Sequence, residues 1–236
     1  MYRSPGAIMQ KMKFTRASGY IAVITIGLIF AHLGAFVSLG QADEIPVSRF
    51  NTEGLTGWES KRFKRTTEYH LVKEEGRTVV KASSHNAASG LIKKISFNPA
   101  HYRYLRWSWK IDGPIAGGDE KTKAGDDYAA RLYVVFSGRF FWQTRAINYI
   151  WANRLSKGDS IVNAFTSNII MVAVESGTDN AGRWVIEERD VLADYRHLFG
   201  SEPGEASAIA IMTDTDNTGG SAEAWYGDIS LATEGK

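Results

Sequence analysis

Among its 236 residues the chain has no cysteine, only five prolines and only five histidines. Without cysteine there can be no disulfide, no thiolate zinc site, no thiol nucleophile and no lipid-modified cysteine anchor. The histidines fall at no metal-ligand spacing; His70, His85, His101 and His197 are scattered. There is no Gly-x-Ser-x-Gly elbow, no phosphate loop and no dinucleotide fingerprint. The run Gly117 to Thr122 shares only its composition with a phosphate loop. An excess of positive charge is missing as well. Four of the 28 basic side chains (Arg3, Lys11, Lys13, Arg16) and none of the 26 acids lie in residues 1–42, which leaves 24 against 26 and a formal charge of −2. A clustered positive surface, which nucleic-acid binding needs, is not expected.

What the first 42 residues do hold is an export pattern. A basic stretch ends at Arg16, an apolar run follows from Tyr20 to Leu39, and Gly40-Gln41-Ala42 places small residues before Asp43. That order reads as a cleavable secretory signal. The run is also nearly long enough to span a bilayer, so an uncleaved inner-membrane anchor is the alternative. Both place residues 43–236 outside the cytoplasm, periplasmic or secreted, with the membrane touched only by the N-terminal segment. The rest is expected to form a single domain.

That domain reads as all-β. The clearest strand is 104–111, where Leu105, Trp107, Trp109 and Ile111 alternate with Tyr104, Arg106, Ser108 and Lys110. A period of two marks a half-buried strand, with the Trp pair facing the core. Segments 69–74 and 77–83, joined by Glu75-Gly76, predict a hairpin. Further strands are expected at 47–50, 91–97, 128–136, 145–152, 168–175, 183–188, 208–213 and 223–231. One short helix is expected at 191–199, capped by Asp190 and closed by Gly200. About ten alternating strands point to two packed sheets, a jelly-roll-like β-sandwich, with a β-barrel as the alternative.

Four constellations could carry chemistry. Lys123, Asp126, Asp127 and Arg131 lead into a strand, and Tyr133 shares the face of Asp127 and Arg131. They fit a polar pocket binding an anionic or hydroxyl-rich ligand, or an Asp–Arg pair that pins the preceding loop. Asp214, Asp216 and Asn217, followed by Thr218, offer oxygens suited to a structural Ca²⁺. The EF-hand count fails, because Trp225 stands where a glutamate is required, and an Asx-turn loop explains the same residues. Trp151, with Trp142 and Tyr149, lies near Arg139, Arg145 and Arg154, as a sugar-stacking platform or as packing. Arg189-Asp190 with Asp194, Tyr195 and Arg196 fits a helix cap with surface pairs.

Several of these stretches together resemble a bacterial envelope family, domain of unknown function 3047. They are Ala87–Leu91, Leu105–Lys110, Lys123–Phe136, Tyr149-Ile150-Trp151, Arg189-Asp190-Val191 with Asp194-Tyr195-Arg196 and Phe199-Gly200, and Thr213–Thr218. The resemblance spans roughly residues 47–232 and implies no established activity. The pattern, with its closing Gly227 to Leu231 strand, is also similar to jelly-roll carbohydrate-binding modules, a fold analogy alone. Three readings follow: a non-catalytic module binding a glycan or other polar ligand, a polysaccharide-acting enzyme using Asp126 or Asp127 with Arg131 and Tyr133, and a structural or protein-interaction domain. None requires a cofactor.

Overall fold

The computed structural model describes residues 43–138 and 140–236. The expected export segment, residues 1–42, and Arg139 lie outside the described residues. The elements run β1 (Glu44–Ser48), α1 (Phe50–Glu53), β2 (Trp58–Lys64), β3 (Glu68–Glu74), β4 (Arg77–His85), β5 (Ala88–Phe97), β6 (Tyr104–Ile111), β7 (Arg131–Phe136), β8 (Arg145–Ala152), β9 (Ser160–Val162), β10 (Ile169–Ser176), β11 (Val185–Asp190), α2 (Val191–Phe199), β12 (Ala206–Asp214) and β13 (Ser221–Ala232). Among the described residues no helix is long and apolar enough to cross a membrane.

The strands form two sheets. One has the order β11-β6-β13-β4-β3, with β1 also on β13; the other runs β2-β5-β12-β7-β8-β10-β9. Among the described residues β8 and β10 pair in parallel and the other strand pairs are antiparallel. The inner faces enclose one core, in which Leu105, Trp107, Trp109 and Ile111 of β6 meet Leu132 and Val134 of β7, Ile147, Tyr149 and Trp151 of β8, and Ile209 and Ile211 of β12. Burying so much aromatic area supplies the main stabilisation of a domain without disulfides. The chain is therefore a two-sheet jelly-roll-like sandwich with short helical pieces.

Local chemistry explains the elements. The β3–β4 hairpin turns through Glu75 and Gly76, both at positive φ (49° and 80°). A two-residue turn with both centres left-handed matches the strand twist, and Gly tolerates it without cost. Helix α2 starts where the Asp190 carboxylate accepts from Ala193 N–H and stops at the left-handed Gly200. Strand β13 changes partner midway. Residues 221–226 pair with β4, residues 229–232 pair with β1, and the register slips between Tyr226 and Ile229. The start of β4, Arg77–Val79, is paired to β3 but to no residue of β13. The sheet thus splits at Gly227-Asp228.

Candidate functional site

The two acidic stretches singled out in the sequence do meet. Arg131 and Asp214 form an ion pair with side chains 4% and 3% exposed. Arg131 Nε donates to Asp214 Oδ1 at 2.8 Å, Nη2 to the Asp126 carbonyl at 2.8 Å, and Nη1 to the Tyr133 hydroxyl at 3.1 Å. Burial is the largest influence and opposes the guanidinium charge, but Asp214 together with Tyr133, Asp126 and Tyr128 outweighs it and holds the Arg131 pKa well above its ordinary value. Asp127, also buried, accepts Asn217 N–H at 3.1 Å and Thr218 N–H at 2.6 Å. Asn217 Nδ2 donates to the Lys123 carbonyl at 2.7 Å. Asp126 accepts from the Tyr128 hydroxyl and from Asn163 Nδ2, and its pKa is raised, chiefly by burial.

These contacts tie loop 112–130 to loop 215–220, and they revise the expected pairing. Residues 128–130 are not yet strand, so Asp127 and Arg131 share no strand face, and the partner of Arg131 is Asp214. Asp127, Asp214 and Asp216 bring carboxylate oxygens within 4.8 Å of one another. The oxygens of Asp127 and Asp214 already face N–H and guanidinium donors, while Asp216 reaches Lys64 at 3.8 Å. A cation there would share those oxygens with the donors already present. Of the aromatic platform, Trp151 is wholly buried. Its ring lies 6.0 Å from that of Trp109 and its Nε1 donates to the Gly177 carbonyl at 3.1 Å. Tyr149 is also core and bonds Asp194 at 2.8 Å. Trp142 is exposed and stacks on Phe140 at 4.7 Å. The strand period hides this outcome, because Tyr149 and Trp151 sit on the inner face of β8.

One residue on that sheet has no such account. Asn148 lies opposite Tyr133 on β7 and Met171 on β10, on the outer face. It is fully buried, and neither amide heteroatom has a hydrogen-bond partner.

The large open cleft is on the other sheet, at the split in β13. It encloses about 930 Å³, at the upper end of the roughly 300–1,000 Å³ usual for ligand clefts. Ser108, Gly227 and Ser230 line it together with the unpartnered β4 edge at Arg77–Val79; Arg49 and Asn51 line it beside β1, and Ile186 and Glu188 from β11. The β3–β4 hairpin tip curls over this face: Glu74 pairs with Lys110 of β6, and the Arg77 guanidinium lies 3.8 Å from the centre of the Trp184 ring. Lys110 Nζ sits 4.4 Å from the centre of the Trp225 ring. Arg106 is held by Glu188, Nε to Oε2 at 2.6 Å, and by Glu44 at 3.4 Å. None of the residues expected to bind ligand lines this groove. The signal available in the sequence was Gly227-Asp228, a glycine inside a strand pattern, which marks bulges and close backbone approaches.

Comparison with known proteins gives a family match over residues 56–230, to the family described as "Protein of unknown function (DUF3047)". No curated protein matches the chain. Solved structures with a similar course include a family 30 carbohydrate-binding module of a cellulosomal cellulase of Clostridium thermocellum, at 12% identity over 76% of this chain and 93% of that one, TM-score 0.41. The xyloglucanase domain of NopAA, a type three effector from Sinorhizobium fredii, matches at 10% identity over 82% and 98%, TM-score 0.42. The K3 cleaved adhesin domain of Lys-gingipain from Porphyromonas gingivalis matches at 12% identity over 80% and 99%, TM-score 0.39.

Proposed function

The chain belongs to the DUF3047 family of proteins of unknown function, and on that premise we propose that it is a binding module for a polar, hydroxyl-rich ligand of the glycan class, seated in the groove of the six-stranded sheet. The observation that carries this reading is the groove itself. It is open, of ligand size, and lined by hydroxyl, amide, guanidinium and carboxylate groups beside a strand edge that β13 has left. Sugar hydroxyls both donate and accept, and a mixed lining with a free backbone edge matches them better than an apolar cleft would. Asp126 and Asp127, the carboxylates an enzyme reading would use, are buried and hydrogen-bonded away from it. Hydrolysis through that pair would therefore need a site away from the groove, while the groove's own carboxylates Glu44, Glu188 and Asp228 are engaged by donors of the protein. The export pattern of residues 1–42 supports a place in the cell envelope, outside the cytoplasm.

The test is calorimetric titration of the protein against a panel of soluble oligosaccharides. Ser230→Trp fills the groove, and Tyr133→Ala alters the opposite sheet. Binding that Ser230→Trp abolishes and Tyr133→Ala spares is the expected result. Loss in Tyr133→Ala alone would move the site to the seven-stranded sheet, and no binding across the panel would remove the reading.

A further inference from the structure

The groove's charges are not equally occupied. Each of its carboxylates is engaged by at least one donor within the protein, and Glu44 and Glu188 share Arg106. Glu188 holds Arg106 and the Lys236 N–H. Glu44 accepts from the Ser230 hydroxyl at 2.5 Å and lies 3.4 Å from Arg106. Asp228 accepts Phe50 N–H at 2.7 Å, and Glu187 accepts Trp109 Nε1–H at 3.3 Å.

Among the described residues three cations of the groove have no ion pair: Arg49, Arg77 and the Lys236 ammonium. Arg49 and Arg77 both line the groove, and among the described residues neither guanidinium has a carboxylate within 4.0 Å or a hydrogen-bond acceptor. Arg77 is fixed instead by its stacking on Trp184, which leaves the edge of its planar fork to donate. Asn51 lines the groove as well, and its Oδ1 is taken by Thr78 and Lys73, so that only its Nδ2–H₂ is left to offer. The uncommitted side-chain groups here, two guanidiniums, the Lys236 ammonium and the Asn51 amide nitrogen, are donors, and three carry positive charge, while the free β4 edge offers both backbone N–H and C=O groups. A ligand that satisfies these side chains brings acceptors and negative charge to Arg49 and Arg77; guanidinium forks and carboxylates pair bidentately.

Resting on the reading of the groove as a glycan site, we infer that its ligand is an acidic saccharide, with carboxylates of uronic-acid type engaging Arg49 and Arg77. The hydroxyl groups of such a chain lie along Ser108 and the Arg77–Val79 strand edge.

The experiment titrates the full-length protein with oligomers of galacturonate, mannuronate and glucuronate-containing chains, each beside its methyl-esterified, uncharged counterpart. The expected result is binding of at least one acidic oligomer, weakened tenfold or more by esterification and by Arg49→Ala, with Arg49→Lys partly restoring it. Arg49 is exposed and makes no side-chain cap on α1, so Arg49→Ala leaves the fold intact, which circular dichroism checks; Arg77→Gln is the second variant. Binding should also weaken steeply between low and high salt. Equal binding of acid and ester, unaffected by either variant, overturns the acidic assignment and leaves the groove as a neutral glycan site. Binding to no oligomer overturns both.

Discussion

Asn148 is anomalous at the residue scale because its neighbours account for their polar atoms and it does not. Arg131 spends its guanidinium on Asp214, Tyr133 and a carbonyl, while the Asn148 amide is buried with neither atom paired. A buried unsatisfied polar group costs roughly 1–3 kcal/mol. Asn148→Leu, close in size and free of polar atoms, should therefore raise stability by about 1–2 kcal/mol in urea denaturation; a loss of stability would mean the amide is satisfied. Glu187 carries a different burial cost, that of a carboxylate charge. Burial, helped by the nearby Glu175 carboxylate, pushes its pKa from 4.5 up to about 7. The folded state thus holds this proton more tightly than the unfolded chain does. Its contribution is complete below pH 4.5 and is lost as pH rises through about 7, by roughly 3 kcal/mol at most. Glu187→Gln should flatten the fall in stability between those pH values, and an unchanged slope would assign it to another group.

Among the elements, β13 does most to position the groove. Its slip at Gly227-Asp228 hands the sheet edge from β4 to β1. A β-carbon on Gly227 would overlap Ser108 Oγ, with Ser108 Cβ and its carbonyl next at 3.5 Å. Gly227→Ala should cost about 1–3 kcal/mol, as overpacking does, and adding Ser108→Ala should recover most of it. Failure of the second change to rescue would place the strain in the backbone. The elements also show where patterning succeeds. Strand β6, the β3–β4 hairpin and α2 fall where alternation, a Glu-Gly turn and an Asp190/Gly200 cap pair put them. Strand β2 was missed because it is an exposed edge strand, charged on both faces, and shows no period of two. The short β9 offers only three residues. Strand β7 begins at Arg131, three residues later than its apolar run suggests, because Tyr128 N–H is taken by the Asp214 side chain.

On the scale of the whole molecule, two faces with different properties share one core. The outer face of the seven-stranded sheet carries the buried Arg131–Asp214 latch, and the six-stranded sheet carries the groove with its two uncommitted guanidiniums. Local sequence determined the all-β character, the core-facing Trp107 and Trp109, the caps and the absence of thiol chemistry, because each depends on periodicity or composition over a few residues. It also marked Asp126–Arg131 and Asp214–Thr218 as special. Only the tertiary structure decided that Arg131 meets Asp214 rather than Asp127, that Trp151 faces inward, and that the open cleft lies where β13 parts from β4. Those outcomes rest on pairings between residues far apart in the chain, and one step of strand register turns a surface side chain into a buried one.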